Sequence, residues 1–188
     1  MRIVVAKYQE NIDWINDVKG FEITVYDKSK SKNDYKKLKN IGRESHTYLH
    51  HIIENYDNLD DITVFTQGHP FDHCKDFIQL LDNVKVQHYY NFNILTLPTK
   101  IELNRVQRQG VTIFEDMNTE IARETLKLFK PSFNFDNALS VSYYGIFSVS
   151  RENIRKYRLE QYRKALELHN KHKDMPYIFE LIWKTIFE

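Results

Sequence analysis

An apolar run that ends abruptly in a polar turn constrains the fold of this chain more than any other stretch. Residues 61–73 read DITVFTQGHPFDH. The ITVF segment predicts a buried strand, and Gly68 and Pro70 end it. In α/β sheets the ligand crevice lies beyond the carboxyl ends of the strands. A functional site is therefore expected at the turn that follows this strand.

Four polar side chains follow the strand within seven residues, namely Gln67, His69, Asp72 and His73. Such groups can hold a metal, a phosphate or a sugar hydroxyl. Turns of this composition are also common as solvated connections. In that second interpretation Asp72 caps a helix near Cys74 to Leu81. The residues alone leave both interpretations open.

The opening of the chain predicts a strand, a short helix and a second strand. Residues 3–6 form an apolar run that suits a strand buried on both faces of a sheet. Residues 12–18 suggest a short helix closed by Gly20. Residues 21–26 alternate and are β-branched, which predicts the second strand. This order is typical of a βαβ unit.

The later part of the chain alternates in the same way, with Ser150 as a plausible N-cap. Helices are predicted at residues 40–53, 120–129 and 151–172 and from Pro176 onward, and strands at 84–90, 92–97 and 140–149. For 188 residues this predicts a single α/β domain with a mixed, mostly parallel sheet flanked by helices on both faces.

Composition excludes several classes of protein. The formal net charge is +1 with 28% charged residues, so no global field favours nucleic acid. The single cysteine excludes an intrachain disulfide. Neither a signal peptide nor a transmembrane run is evident. The expectation is a soluble, cytoplasmic protein without a nucleic acid partner.

Two further clusters have open interpretations. Residues 28–39 carry six lysines. This composition predicts either a solvated loop or a mobile flap that attracts phosphate. In the helix that follows, Arg43 lies where helix-end amides favour an anion. His46 and His50 are four apart and could share a metal, although the glutamate of an HExxH motif is missing.

Several sequence blocks together resemble an uncharacterised family catalogued as a domain of unknown function. They are VVAKYQENIDW, FEITVYDKS, NIGRESHTYLHHIIENYDNLDDITVFTQGHPFDH, YYGIFSVSRENI and ELIWKTIF. Members of that family share GRExHTYL and QGxPFDH signatures. The order of the blocks also resembles nucleotide-sugar glycosyltransferases of GT-A type. This resemblance implies a Rossmann-like nucleotide-sugar-binding half in residues 1–98 and an acceptor half in residues 99–188.

The resemblance also implies the roles of individual residues. The positions that match nucleotide-binding positions are Ala6, Lys7, Tyr8, Asp27, Arg43, Gln67 and Gly68. Those that match the acceptor side are Tyr144, Gly145 and Arg151, where Tyr144 could instead be a core residue and Arg151 could simply pair with an acid. The ELIW block is similar to one near the catalytic base, which makes Glu180 the candidate if it is not an ordinary surface residue.

The sequence departs from the glycosyltransferase pattern at the central turn. The family binds a divalent metal through a DxD motif, whereas this chain has Gln67-Gly-His69 there. Mn²⁺ accepts imidazole as well as carboxylate, so His69, Asp72 and His73 are the expected ligands of Mn²⁺ or Mg²⁺. Arg43 is expected to act in catalysis together with this metal, by stabilising the charge that grows on the leaving diphosphate. Without a metal, Arg43, a lysine of the 28–39 loop or a helix N-terminus must neutralise that diphosphate.

The resulting hypothesis is a glycosyltransferase that moves a sugar from a UDP- or GDP-linked donor to a hydroxyl on a glycan or glycoprotein. It expects Asp27, Arg43 and Asp72 to line one hollow. Two alternatives stay open. A metal-dependent phosphoester hydrolase would use His46, His50 and the histidines and aspartate of the central turn, while a non-catalytic carbohydrate-binding or interaction module would bind no nucleotide.

Overall fold

A six-stranded mixed sheet forms the centre of the computed structural model, which describes residues 1–86, 89–91, 107–108, 111–112, 119–134 and 143–188. The strands are β1 (Arg2–Lys7), β2 (Glu22–Asp27), β3 (Lys36–Lys37), β4 (Ile62–Gln67), β5 (Tyr89–Asn91), β6 (Gln107–Arg108), β7 (Val111–Thr112) and β8 (Phe147–Ser150). The helices are α1 (Arg43–Glu54), α2 (Phe77–Leu80), α3 (Thr119–Phe129), α4 (Arg151–Arg155), α5 (Leu159–Lys171) and α6 (Met175–Phe187).

The strand order is β3-β2-β1-β4-β8-β5, and β6 pairs with β7 in a separate ribbon. β1 pairs in parallel with both β2 and β4, whereas β8 is antiparallel to its neighbours β4 and β5. The predicted mixed, mostly parallel sheet is confirmed. Because the chain adds β2 on one side of β1 and β4 on the other, the strand order reverses beside β1. A ligand crevice is expected outside the carboxyl ends of these strands.

Both faces of the sheet are covered, as predicted. Ile3 and Val5 of β1 are fully buried in a cluster that includes Trp14 and Phe77. Val4 points to the other face and joins a larger cluster formed with the helices. Each such side chain contributes about 1.5–3 kcal/mol when fully buried. The alternation of β1 between two cores fixes its register in the middle of the sheet.

The start of α1 has an unusual backbone. Gly42 has φ 62° and Arg43 has φ 47°, so two consecutive residues lie in the left-handed region. The ammonium of Lys28 donates a hydrogen bond of 2.7 Å to the carbonyl oxygen of Ile41 and another to that of Arg43. These bonds attach the entrance of α1 to the end of β2.

The strand predicted over residues 84–90 begins as a helix. Residues 81–86 form a 3₁₀ helix that continues α2, and Tyr89–Asn91 is extended. The reason is that Phe77, Leu81 and Val84 recur at helical spacing and are all buried in the same cluster. The period-2 alternation assigned to residues 84–90 was the weaker pattern.

The predicted helix over residues 151–172 is two helices, α4 and α5, separated at Tyr157 and Arg158. The break is stabilised because the backbone N–H of Arg158 donates to Oε1 of Gln161 at 2.6 Å. In addition, the Tyr157 hydroxyl donates to the carbonyl oxygen of Ile186 at 2.6 Å. The predicted N-cap is confirmed, since Ser150 Oγ accepts from the backbone N–H of Asn153 at 3.1 Å.

The helix predicted over residues 12–18 is a 3₁₀ helix, Asp13–Asp17. In the described part of the strand predicted over residues 140–149, Tyr143–Gly145 is a 3₁₀ helix and the strand β8 begins at Phe147. The strand at 92–97 and the boundary between residues 98 and 99 lie outside the described residues. Across the described ranges, no helix is long and apolar enough to cross a membrane.

We expect Gly42→Ala to destabilise the fold much more than Gly20→Ala. Both glycines have positive φ, which costs an alanine about 1 kcal/mol. At Gly20 a new Cβ would meet nothing within 4 Å, but at Gly42 it would overlap the His169 ring and lie 2.9 Å from Cβ of His46. The overlap adds about 1–3 kcal/mol. Urea unfolding of both variants measures the difference, and equal losses would show that the close packing at Gly42 is unimportant.

Candidate functional site

A cleft of about 260 Å³ opens at the carboxyl ends of β1 and β4, where the strand order predicts a ligand site. We call it the strand-end cleft. Its lining residues are Ala6, Lys7, Tyr8, Glu10, Lys28, Asn40, Arg43, Glu44 and Gln67. Five of these were predicted as nucleotide-binding positions: Ala6, Lys7, Tyr8, Arg43 and Gln67. The structure therefore brings together most of the residues that the sequence assigned to the donor.

Sheet register and loop contacts hold the walls of this cleft. Ala6 of β1 lies opposite Gln67 of β4. Beyond the strand, the backbone N–H of Tyr8 donates to Oε2 of Glu10 at 2.6 Å. A Cβ on Gly68 would lie 2.7 Å from that same carboxylate oxygen and 3.1 Å from Cβ of Glu10, so the absence of a side chain at Gly68 lets Glu10 pack closely against it. Gly68 thus supports the wall without lining the cleft.

Three basic side chains line the cleft: Lys7, Lys28 and Arg43. Lys28 is only 7% exposed. Burial lowers the pKa of its ammonium to about 8, and the nearby Glu44 carboxylate opposes this shift. Arg43 lies over the ring of Tyr177, with its guanidinium carbon 4.8 Å from the ring centre. This set of cations is suited to a ligand with two or more negative charges.

Glu44 is the acid with the most perturbed environment in the cleft. Burial raises the pKa of its carboxyl to about 7; Glu180 adds to the rise, while Arg43 and Lys28 oppose it. A Cβ on Gly145 would lie 3.6 Å from Cγ of Glu44, so the two residues are close neighbours. A carboxyl that changes charge near neutral pH is suited to general acid or base catalysis.

Glu180 of α6 lies close enough to influence Glu44, and its Oε1 accepts a hydrogen bond of 2.9 Å from the backbone N–H of Tyr144. Tyr144 and Gly145 precede β8, which begins beside the carboxyl end of β4. The structure thus brings three of the predicted residues, Glu180, Tyr144 and Gly145, to the vicinity of Glu44.

Asp27 does not line the cleft. Its side chain is fully buried, and its carboxylate accepts hydrogen bonds from Ser29 N at 2.7 Å and from Lys37 Nζ at 2.8 Å. Burial alone would raise the pKa of this carboxyl, but hydrogen bonds from Lys37, Asn33 and Ser29 hold it well below its usual range. Asp27 therefore organises the lysine-rich loop.

The central turn does not assemble the predicted metal ligands. Nδ1 of His69 lies 3.1 Å from Oδ1 of Asp72, whose side chain is 68% exposed. The ring of His73 instead stacks on Tyr144, at 3.9 Å between centres and 8° between planes. Within the described ranges, no group of three or more His, Cys, Asp or Glu residues could hold a metal ion. The donor set expected for Mn²⁺ or Mg²⁺ is therefore divided.

The expectation of one hollow lined by Asp27, Arg43 and Asp72 needs correction. Only Arg43 lies on the strand-end cleft. Asp27 is enclosed by its own loop, and the 3₁₀ turn Pro70–Asp72 carries Asp72 outward to pair with His69. Asp72 does not cap a helix either, because α2 begins at Phe77.

Arg151 lies far from the other predicted acceptor residues. β8 runs antiparallel to β4, so Ser150 is opposite Ile62 at the beginning of β4. Arg151 follows directly, and its Nη2 pairs with Oδ1 of Asp61 at 2.5 Å. The full length of β8 thus separates Arg151 from Gly145, and the alternative of a simple ion pair agrees with the geometry.

The histidines of α1 are likewise separated. His46 packs edge-on against His169, with ring centres 5.7 Å apart, whereas His50 packs against Tyr26 at 5.5 Å. Burial lowers the pKa of His46 to about 4, so it is neutral at pH 7. The histidine cluster required for a phosphoester hydrolase does not form among these residues.

Glu44 and Glu10 were not among the residues predicted for the site, and Lys28 was included only as one of the six lysines of the 28–39 loop. A usable signal existed for Glu44, because Tyr48 and Ile52 follow it at positions i+4 and i+8 and are fully buried. A carboxylate on the same side of the helix as core residues is expected to be desolvated. No comparable pattern distinguishes Lys28 from the other lysines of its loop.

Comparison with known protein families shows that a model described as "Protein of unknown function (DUF3431)" matches residues 3–188. Neither curated proteins nor solved structures give a match.

We predict that Glu44 makes stability fall as pH rises. Its carboxyl has a pKa of about 7 in the folded chain, against an ordinary value of 4.5, so the folded state binds the proton more tightly. The contribution of Glu44 to the free energy of unfolding should therefore fall between about pH 4.5 and pH 7, by roughly 1–3 kcal/mol after allowance for solvent screening. Over the same range the buried histidines His46 and His169, whose pKa values are lowered, make stability rise, so the effect of Glu44 is measured as the difference between wild type and a variant.

Urea unfolding at several pH values, with wild type and Glu44→Gln, measures this effect. The amide cannot ionise, so the free energy of unfolding of Glu44→Gln should increase relative to that of wild type as the pH rises from 4.5 to 7, whereas that of the exposed Glu124→Gln on α3 should keep a constant difference from wild type. Parallel curves for wild type and Glu44→Gln would contradict the assignment.

Proposed function

The chain belongs to the DUF3431 family of unknown function, and from its strand-end cleft we propose a glycosyltransferase that moves a sugar from a nucleotide-diphosphate donor to a hydroxyl acceptor. The observation that carries the proposal is one cleft at the strand-order reversal that combines three cations with a carboxyl of pKa about 7. The resemblance of the sequence blocks to GT-A enzymes supplies the substrate class. A glycan or glycoprotein acceptor, and a UDP- or GDP-linked donor, follow from the same resemblance.

In this proposal the donor diphosphate binds Lys7, Lys28 and Arg43. Arg43 offers a planar fork of donors that matches phosphate oxygens, and the lysines add point charges. Tyr8 is 41% exposed at the rim, so its ring is available to stack on the base. Gln67 supplies an amide that can both donate and accept hydrogen bonds.

Glycosyl transfer requires two contributions from the protein, namely stabilisation of the leaving group and removal of a proton from the acceptor. The bond between the anomeric carbon and the diphosphate oxygen breaks, its electron pair stays on the diphosphate, and the acceptor oxygen bonds to that carbon. Lys28 and Arg43 stabilise the charge that grows on the leaving diphosphate. Glu44, in its ionised form, takes the proton from the acceptor hydroxyl. Glu180 positions the Tyr144 loop and keeps the proton affinity of Glu44 high.

In this proposal side chains, and not a metal, neutralise the charge of the diphosphate. The reason is that the turn in place of the DxD motif does not bring its potential metal ligands together. His69 and Asp72 face each other, while His73 stacks on Tyr144. We therefore place no step on a metal. Calorimetry with and without Mn²⁺ measures whether the metal strengthens donor binding.

We expect Lys7→Ala and Arg43→Ala each to weaken binding of UDP or GDP by about 10- to 100-fold, since each removes a charge-assisted contact to phosphate. Lys30→Ala is the matched control, because this exposed lysine belongs to the same basic region of sequence but does not line the cleft. Isothermal calorimetry with UDP-, GDP- and dTDP-sugars, with and without Mn²⁺, measures the affinities.

Absence of binding for every donor would overturn the proposal and favour the non-catalytic module. Binding that requires Mn²⁺ and disappears in Asp72→Ala would instead restore the metal site at the central turn. Equal losses in Lys30→Ala and Arg43→Ala would show that binding is only a general electrostatic effect.

We predict that Glu44→Gln reduces slow donor hydrolysis by about 10²- to 10⁴-fold, as expected for loss of a general base. In wild type the rate should rise with pH through about 7, where the Glu44 carboxyl loses its proton. Glu180→Gln should lower the rate but keep a pH inflection, because Glu44 remains. Release of nucleoside diphosphate from pH 5 to 9 gives both profiles, and an unchanged inflection in Glu44→Gln would exclude it as the base.

A further inference from the structure

A second and larger cleft, of about 500 Å³, lies on the other side of Arg43. Its walls come from the entrance of α1, the end of α5 and the beginning of α6, so we call it the helix-end cleft. They include Gly42, Arg43, His169, Lys171, Lys173 and Tyr177. Arg43 also lines the strand-end cleft, which makes its side chain a shared wall between the two.

The helix-end cleft is basic. Arg43, Lys171 and Lys173 line it, and none of the described residues of its lining is acidic. Lys171 is partly neutralised, because its Nζ pairs with Oε1 of Glu167 at 2.6 Å. The entrances of α1 and α6 both border the cleft, and helix N-termini favour anions. Three side-chain charges and two helix ends thus favour a negatively charged ligand.

The floor of the cleft contains a buried acceptor. Ser45 Oγ lies 3.2 Å from the carbonyl oxygen of Gly42 and 2.8 Å from Nε2 of His169. When the hydroxyl donates its one hydrogen to the carbonyl, Nε2 carries the ring proton and donates to Oγ. His169 is neutral, since burial lowers its pKa to about 3. In that tautomer Nδ1 is an acceptor, and the described residues give it no donor.

A lone acceptor beneath a basic cleft points to a ligand with both a negative charge and a hydroxyl. The charge would bind Arg43 and the lysines at the walls. A small shift of the His169 ring or of the Gly42 turn would allow a hydroxyl to donate to Nδ1. The ring of Tyr177 supplies an apolar surface beside them.

We propose that the helix-end cleft binds the acceptor substrate and that this acceptor is a phosphate-bearing sugar. The inference rests on the proposed function, because the shared Arg43 would place the acceptor beside the donor diphosphate. Binding in one cleft would also order Arg43 for the other, so donor and acceptor are expected to bind with positive coupling.

Glucose 6-phosphate is the probe, with glucose and inorganic phosphate as partial probes. By NMR titration without nucleotide, glucose 6-phosphate should bind at least about 10-fold more tightly than either partial probe, since only it satisfies both kinds of contact. Its addition should shift the Nδ1 resonance of His169 in long-range ¹H–¹⁵N spectra, in the direction of an accepted hydrogen bond.

Lys171→Ala and Lys164→Ala form a matched pair, because both lysines lie on α5 and both pair with Glu167. Only Lys171 lines the cleft. Lys171→Ala and Lys173→Ala should weaken binding of glucose 6-phosphate by about 5- to 10-fold each, and Lys164→Ala by less than about twofold. Equal effects of the two variants on α5 would overturn the site.

The outcomes separate this inference from the proposed function. If UDP binds at the strand-end cleft but glucose 6-phosphate does not bind, or binds without moving the His169 signal, the acceptor assignment fails alone. If glucose 6-phosphate binds as expected while no nucleotide does, the glycosyltransferase proposal fails and the sugar-phosphate site remains.

Discussion

The geometry of the strand-end cleft depends on Asp27 and Lys28, two consecutive charged residues at the end of β2 whose side chains bind different parts of the chain. Asp27 is fully buried and gathers the lysine-rich loop through hydrogen bonds from Ser29 and Lys37. Lys28 reaches the other way and donates to two carbonyl oxygens at the entrance of α1. Because a buried ammonium needs acceptors, the end of the strand and the start of the helix are held together. That contact places Arg43 and Glu44 on the same cleft as the end of β1.

The same contact explains why the charges in the cleft are balanced near neutrality. Lys28 and Glu44 each favour the charged form of the other, while burial disfavours both charges, which leaves their pKa values at about 8 and about 7. Two groups that titrate in the same range can respond together when a charged ligand enters. A diphosphate would stabilise the lysine as an ammonium and raise the proton affinity of Glu44. Donor binding and proton transfer would then be linked through electrostatics alone.

The sequence predicted the parts of the fold that follow from local periodicity. β1 and β4 were identified because each is a short apolar run, and α1 because its apolar residues recur at helical spacing. A site was expected at the carboxyl ends of the strands, where the strand-end cleft opens. The roles of individual side chains depend on long-range geometry. Asp27 was predicted to bind the ligand, but its carboxylate instead accepts a hydrogen bond from Lys37, ten residues later in the same loop. Arg151 follows β8, which runs antiparallel to β4 and therefore places Arg151 beside the beginning of β4, away from the cleft. The direction of a strand cannot be read from a single sequence.

Arg43 gives the two clefts a physical connection that neither would have alone. Arg43 has a backbone φ of 47° and follows Gly42, where a Cβ would overlap the His169 ring. This turn places Arg43 where it lines both clefts. The ring of Tyr177 lies beside the guanidinium, with the guanidinium carbon 4.8 Å from the ring centre. A cation fixed in this way can bridge two anionic groups that would otherwise repel each other. If one cleft receives a donor diphosphate and the other a phosphate-bearing acceptor, the strained turn at Gly42 is what allows both to be bound at once.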